Sequence, residues 1–535
     1  MNSSSFRPNR EDLISNWPKY WFWSILLVAF VVIILTFDDY GITWDEFPQS
    51  KYAELVLDYF QSGFNNNRYA SFFDLKYYGA LFEVIPTIIY RFVGEWKFEI
   101  RHFCIALTAL LTIAGVMKFS SLFNDPFVPF FASLSLIMLP RFYGHAFNNS
   151  KDVPFACFFV WAIYAIARLF HKKTFFWREI MYVGLAVGLA LATRIGGFLL
   201  FFFLAAEGIF LVVNRSLSKN ILRAFKAKKL FKPMSVIAVA WIVMVSLWPW
   251  AHENVIMNPL LALKMITKFH ATYPVFFEGK SILSNLLPRY YLPKYLLITT
   301  PPILLVCFFF GVGRSIYEVV QHFKSNDSFL YFTTLIWFFI PVTFFIIKLP
   351  NVYDGIRHFL FILPAMAVFS GIGAAFICKS ITVRHRIITY SLMTVLILST
   401  VIDIVRLHPY QMTYFNSFVG GLKEAGKKFE TDYWTSSYKE AIEWVNENTN
   451  PNKGPINVLV AANVSNRLCA EYYRAPHVKI FTVFTNFLND SLPSKMDYYI
   501  STTRYGLNQS FPDTPVVHTI SRDSTIFSVI KKRKK

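Results

Sequence analysis

A chain of 535 residues that is 55% hydrophobic, with 58 phenylalanines and a mean hydropathy of +0.40, carries far more apolar material than one water-soluble core can bury. Its formal charge of +20, from 53 Lys and Arg against 33 Asp and Glu, does not read as nucleic-acid binding, because the basic residues gather in short loops between apolar runs. The five cysteines (Cys104, Cys157, Cys307, Cys378 and Cys469) have no metal spacing and no disulfide framework, which leaves a polytopic membrane protein.

The first apolar run, Trp21 to Phe37, follows Arg7, Arg10 and Lys19. It has no small-residue cleavage site and more runs follow, so it reads as an anchor that stays. A membrane span needs about 20 apolar residues, and eleven runs qualify, some with help from flanking aromatics: 21–37, 101–120, 127–141, 153–170, 179–193, 196–213, 233–250, 293–312, 328–347, 359–378 and 388–405. With the N-terminus in the cytoplasm, the inside loops are Asn124-Asp125-Pro126, Arg168 to Arg178, Arg215 to Lys232 with seven Lys or Arg and no acid, Arg314 to Asp327, and Lys379 to Arg386. All but the first carry two or more Lys or Arg, as cytoplasmic loops should.

Tyr78 to Gly94 is apolar enough to span, but counting it would place the Arg215 to Lys232 loop outside. It reads instead as a helix in the membrane interface, within a long outside loop from Asp38 to Ile100 and flanked by Tyr77, Tyr78 and Trp96. A second long outside segment, Ala251 to Leu292, is also the right size to roof a site. Inside the spans, Glu207 is the clearest mid-span acid, of the kind that makes an interhelical hydrogen bond, while Asp403 and Arg406 have the spacing of a local ion pair.

Residues 1–405 thus form the membrane domain and 406–535 a small α/β domain on the outer face, where the composition turns soluble. Ser437 to Glu447 has helical periodicity, and strands are expected at Ile456–Val460, Val478–Val483, Tyr498–Ile500 and Thr525–Ile530. The terminal Lys531 to Lys535 run reads as a solvated tail.

With this topology the polar residues at outer span ends share one compartment. Asp45 and Glu46 follow the first span in Asp38-Asp39-Tyr40-Gly41-Ile42-Thr43-Trp44-Asp45-Glu46. Asp152 precedes the fourth, Arg194 joins the fifth and sixth, and Tyr353-Asp354-Gly355-Ile356-Arg357-His358 precedes the tenth. A transporter calls instead for broken helices and charge at the bilayer midplane. A lipid or polysaccharide transporter or flippase coupled through the outer carboxylates remains the alternative, and a membrane scaffold a third reading.

The ordered set of Gly41-Ile42-Thr43-Trp44-Asp45-Glu46, Gly144-His145-Ala146-Phe147 through Asp152-Val153-Pro154, Leu292-Pro293-Lys294-Tyr295-Leu296 with Thr299-Thr300-Pro301-Pro302, Arg357-His358 through Pro364, and His408-Pro409-Tyr410 through Tyr414-Phe415-Asn416 resembles the GT-C membrane glycosyltransferases. Within them it is similar to the bacterial protein O-mannosyltransferases and aminoarabinose transferases, the dolichyl-phosphate-mannose-protein mannosyltransferase or glycosyltransferase family 39 type. The resemblance covers residues 20 to about 450 and implies an all-α GT-C membrane fold of about eleven transmembrane helices plus interfacial helices. It also implies inverting transfer of a sugar from a polyprenyl-phosphate donor to a protein, lipid or glycan hydroxyl on the outer face of the cytoplasmic membrane. The C-terminal α/β domain is not shared by every member.

Such a transfer needs a base for the acceptor, cations for the departing phosphate and an apolar slot for the lipid. The family's first acid is the base, which implies that role for Asp45, with Glu46 positioning the acceptor; capping of an outside helix near Phe47 is the alternative for Asp45. Arg357 suits the phosphate through its forked guanidinium, with His358 and Arg194 as further candidates; interfacial anchoring is the alternative for all three. Asp152 either orients a basic side chain or shares a divalent ion with Asp45 or Glu46. No cofactor is required by the sequence, and two loops of carboxylates underspecify a metal.

Overall fold

The computed structural model describes residues 10–172, 176–214, 231–267, 272–325, 327–461, 464–483 and 491–534. Arg7, Lys173, Lys535 and the strongly basic segment 215–230 lie outside the described residues.

The chain is mainly helical, and every expected apolar run carries a helix. Among the described residues, seven helices are long and apolar enough to cross a membrane, or eight if a pair bent by 63° counts as one span. That pair, Phe127–Ile137 and Pro140–Asn148, breaks where Pro140 can neither donate a backbone hydrogen bond nor let the residue before it stay helical. The same chemistry divides the eighth run into Tyr291–Ile298 and Pro302–Gln321, which the sequence reading joined into one span. The protein is thus a multi-pass membrane protein whose helices are interrupted by proline.

Close packing is achieved with small residues. Helices Pro302–Gln321 and Leu363–Ser380 cross where Gly311 lies against the Phe369 carbonyl and Gly373 against the Cys307 carbonyl, so a side chain at either would collide with backbone. Gly184 and Gly188 similarly admit Val239 and Val243 of helix Phe231–Ser246.

The Tyr78–Gly94 segment contains a helix at Leu81–Val93, 13 residues long. At about 1.5 Å per residue it reaches about 20 Å, too short for a hydrocarbon core of about 30 Å. Phe82, Glu83, Pro86 and Thr87 are buried while Ile85, Ile88, Ile89 and Phe92 are exposed, the one-sided apolar face of an interfacial helix. The second long loop holds a hairpin that the sequence reading did not place. β1 (Pro274–Phe277) and β2 (Lys280–Leu283) pair antiparallel about Glu278-Gly279, both at positive φ.

After the last long helix, Val383–Arg406, the chain knits into the helical body before the sheet begins. Asn416, for example, donates its amide to the carbonyls of Leu297 and Thr300. A mixed sheet follows: β3 (Ile456–Ala461), β4 (Val478–Val483), β5 (Tyr498–Thr502), β6 (Val516–Arg522) and β7 (Thr525–Lys532), in the order β4-β3-β5-β7-β6. β4, β3 and β5 are parallel, and β5, β7 and β6 antiparallel. Helix Tyr438–Glu447 lies within one residue of its expected bounds. Helix Val464–Tyr473 and strand β6 were not foreseen, since both have mixed polarity and draw their order from packing.

Two local expectations are corrected. Lys531 is not part of a solvated tail: it lies in β7, buried, and its Nζ donates to the carbonyls of Ser510 at 2.7 Å and Phe511 at 3.2 Å. Arg406 pairs with Asp523 of the β6–β7 turn rather than with Asp403, because the sheet offers a carboxylate beyond the helix end.

The sidedness expected from the charge pattern is checked at two exposed positions. A cysteine at Asn65 should react with an impermeant thiol reagent in intact cells, and one at Thr382 only after permeabilisation; the reverse pattern would invert the topology. Background from the natural cysteines should be low, because four of the five are buried.

Candidate active site

The site forms where separated stretches of chain meet. Gly41 approaches the Ser436 carbonyl so closely that any side chain there would collide, which presses the first loop against the segment before helix Tyr438–Glu447. Asp45 stands at the N-cap of helix Glu46–Gln61 but makes no side-chain capping bond. Its carboxylate faces Arg357 instead, Oδ2 lying 3.3 Å from Nη1, and it stays 33% exposed against 6% for Arg357. One partner is therefore reachable from solvent and the other is not.

Arg357 opens the 3₁₀ turn Arg357–Ile362. Its Nε lies 3.0 Å from Asp354 Oδ2 and its Nη1 4.0 Å from Asp152 Oδ2, while its guanidinium carbon sits over the rings of Tyr353 at 4.7 Å and Trp434 at 5.1 Å. Asp152 begins helix Asp152–Lys172, forms an ion pair with Arg194, and accepts a hydrogen bond from Asn149 Nδ2 at 3.0 Å. Asp45, Asp152, Arg194 and Arg357 thus form one cluster. His358 is half-buried beside it, edge-on to Tyr353 at 4.9 Å between ring centroids. Tyr273, which the sequence reading passed over, packs on Tyr353 at 4.8 Å. Burial pushes its phenol pKa up, and the nearby Asp45 and Asp354 carboxylates push it further.

Glu46 has a different place from the one expected. It is buried, accepts from the Thr43 backbone N–H at 2.7 Å and hydroxyl at 3.1 Å, and meets His102 Nε2 at 2.9 Å. The Thr-x-x-Glu spacing makes half of a capping box, so the carboxylate braces the loop that presents Asp45 and is turned away from the cluster. A second brace is the buried pair Glu83–Arg101 at 2.5 Å, where Ser150 donates to Glu83 at 2.8 Å. Glu207 is buried within helix Leu199–Val213, away from these groups.

Among the described residues no group of three or more His, Cys, Asp or Glu is placed to hold an ion. Asp45 and Asp152 face guanidinium groups, and Glu46 faces His102. Asp152 faces two arginines, Arg194 and, at 4.0 Å, Arg357.

The largest omission of the sequence reading is Arg504, which lies 150 residues from its partner Asp354. It donates to Asp354 Oδ1 at 2.8 Å and to the Tyr433 carbonyl at 2.5 Å, and its Nε is 3.5 Å from Glu430 Oε1. Its guanidinium carbon lies 4.6 Å over the Trp44 ring. Asp354 is fully buried and accepts from Trp434 Nε1 at 3.2 Å as well. A continuous chain of charges, Asp45–Arg357–Asp354–Arg504–Glu430, therefore joins the first loop to the C-terminal domain. No local sequence signal marks Arg504 or Glu430.

An apolar cavity of about 340 Å³ lies between helices Arg10–Thr36, Lys97–Ser120 and the bent pair. It is lined by residues such as Val28, Ile33, Ile113 and Tyr143, and ends at Phe147, whose ring stacks on Tyr40 of the first loop at 4.0 Å. An exposed carboxylate, two arginines and an apolar cavity together can accept a proton, hold an oxyanion and seat a hydrocarbon chain.

Two consequences follow for stability. Arg504→Ala removes the cation facing the buried Glu430 carboxyl and one of the two guanidinium partners of Asp354, and is expected to cost on the order of 3–5 kcal/mol in thermal unfolding of the purified protein. The Glu430 carboxyl is pushed up to about 7 by burial, against the pull of Arg504. Because the folded protein then holds this proton more tightly than the unfolded chain, the stability it contributes is full below the unfolded value of about 4.5 and is lost as pH rises to about 7. Glu430→Gln should flatten the fall of melting temperature across that window; an unchanged profile would assign the dependence to other groups.

No family model and no curated protein matches the sequence. Among solved structures, the apo oligosaccharyltransferase of Archaeoglobus fulgidus aligns over 91% of this chain and 70% of its own, at 13% identity and a TM-score of 0.50. ArnT from Cupriavidus metallidurans, bound to undecaprenyl phosphate, aligns over 96% of this chain and 98% of its own, at 13% identity and a TM-score of 0.47. The chain has the GT-C fold of membrane glycosyltransferases, with a small C-terminal sheet domain added to its helical body.

Proposed function

We propose that the protein is an inverting glycosyltransferase that moves a sugar from a polyprenyl-phosphate carrier to a hydroxyl of an envelope acceptor on the outer face of the cytoplasmic membrane. The observation that carries this reading is the Asp45–Arg357 pair, a part-exposed carboxylate on a buried arginine, set in a cluster with Arg194 in a protein that also holds an apolar cavity among its helices. The acceptor oxygen attacks the anomeric carbon as its proton passes to the Asp45 carboxylate. The bond from that carbon to the phosphate oxygen breaks, and the electron pair leaves on the polyprenyl phosphate.

Charge on the leaving phosphate rises along this path, and Arg357 and Arg194 meet it with bidentate, charge-assisted hydrogen bonds. Asp152 holds both cations toward the same point. In the free protein Asp45 is itself a partner of Arg357. An arriving phosphate competes for that guanidinium and releases the carboxylate toward the acceptor, so donor binding prepares the base. The apolar cavity serves the lipid tail. His358, edge-on to Tyr353 beside the cluster, supports the phosphate, and Glu46 acts on the reaction only by holding the Asp45 loop.

Asp45→Asn keeps the shape but removes basicity, so transfer should fall by ~10²–10⁴. Donor binding should be retained or strengthened, since the amide competes less for Arg357. Arg357→Ala should weaken donor binding and turnover together, by about 2–5 kcal/mol, because it removes a desolvated partner of the phosphate. Both are read by lipid-donor binding and single-turnover transfer on folded protein. Near-normal transfer by Asp45→Asn would overturn the assignment of the base, and normal donor binding by Arg357→Ala would return that residue to an anchoring role.

A further inference from the structure

A second pocket, of about 540 Å³, lies one guanidinium away from the cluster. Three parts of the chain build it: the β1–β2 hairpin, the segment from Gly426 to Tyr433, and the turn from Thr503 to Gln509 in the sheet domain. The hairpin is fastened to its neighbour by hydrogen bonds from Gly279 N–H to the Lys428 carbonyl at 2.9 Å and from Glu430 N–H to the Phe276 carbonyl at 3.2 Å. Two walls are aromatic, from Phe276, Phe429, Tyr433 and Tyr505, and the rest are amide and hydroxyl groups, among them Asn508, Gln509 and Thr431. Tyr505 is held at positive φ, 4.8 Å from the Arg504 guanidinium carbon.

The charges of this pocket narrow its ligand. Arg504 is matched by Asp354 and Glu430, and the Asp432 carboxylate is taken up by Ser436 and Ser437, so a phosphate or other anion gains little here. A hydrocarbon chain would bury amides and hydroxyls without partners. Glu430, whose side chain is 5% exposed, keeps one oxygen, Oε2, without a hydrogen-bond partner among the described residues. A neutral polyol answers all three conditions: the C–H face of a sugar ring lies on aromatic walls while its hydroxyls reach the carboxylate and amides. The volume lies within the usual range for small-ligand sites and leaves room for a mono- or disaccharide.

We infer that this pocket is a carbohydrate subsite that recognises a sugar unit of the acceptor, so that the acceptor is itself a glycan or glycoconjugate. The inference rests on the transferase reading for the word acceptor, but sugar binding at the pocket stands or falls by itself. Arg504 forms the shared wall, in contact with Glu430 on the pocket side and with Asp354, the partner of Arg357, on the other.

The test uses the full-length protein in nanodiscs, with methyl α-mannoside, methyl β-galactoside and methyl β-N-acetylglucosaminide as probes, read by saturation-transfer NMR and titration. At least one probe should receive saturation at its ring C–H protons. The signal should weaken by about tenfold or more in affinity in the Asn508→Ala, Gln509→Ala double variant, the scale set by losing hydrogen bonds to a buried ligand. Ser281→Trp, which fills the pocket from an exposed hairpin position, should abolish it without disturbing the buried charges. Undecaprenyl-phosphate binding, measured in the same preparations, should persist in both variants. Absence of saturation transfer for all three sugars, or a signal unchanged in both variants, overturns the pocket. Loss of transfer in Asp45→Asn with sugar binding intact leaves the pocket standing, whereas failure of donor binding in the unaltered protein would sink the transferase reading alone.

Discussion

The buried carboxylate of Asp354, shared between Arg357 and Arg504, is the interaction on which the rest of the site depends. A charge taken fully out of water is tolerable only when paired and hydrogen-bonded, and Asp354 has two guanidinium partners and the Trp434 indole N–H. The same residue sits at a φ of 60°, followed by Gly355 at 65°, a left-handed conformation that non-glycine residues adopt at a cost. The ionic contacts offset that strain. They also hold the turn that delivers Arg357 to Asp45, so the alignment of the outward carboxylate is inherited from a buried one.

Aromatic rings complete the electrostatics. Tyr353 and Trp434 cover Arg357 while Trp44 and Tyr505 cover Arg504, which favours the cations through the ring faces and keeps water from the ion pairs. In such surroundings an arriving phosphate meets cations whose attraction is weakly screened. It also meets competition, because each arginine already has carboxylate partners. The proposed reaction therefore works by exchange of partners around fixed cations, with little reorganisation of the backbone.

The helical body supplies the frame for this exchange through its interruptions. Proline ends or restarts helices at Pro140, Pro302 and Pro364, and the bent helix ending at Asn148 leads directly into Asp152. Elsewhere the helices are drawn together by glycines that allow backbone contact. Tight glycine crossings pack the helices against one another, and proline-broken helix ends lead into the charged cluster. The sheet domain is then part of the site rather than an appendage, since Arg504 reaches from it into the charge chain.

Much of this was legible in the sequence because it depends on local rules. Apolar length marked where helices run, and strand alternation marked β3, β4, β5 and β7. Asp45, Asp152, Arg194 and Arg357 were recognisable because each stands at a span end, where a charged residue is informative. What tertiary structure alone decided was the pairing. Glu46 and Asp45 are adjacent in sequence, yet the turn at Thr43 sends one to His102 and the other to Arg357. Arg504 and Glu430 lie in polar segments where a charged residue is ordinary, and only the docking of the sheet domain onto the helical body buries them together with Asp354. Periodicity and composition report how a residue meets solvent or lipid; which opposite charge it meets depends on long-range contacts that carry no local period.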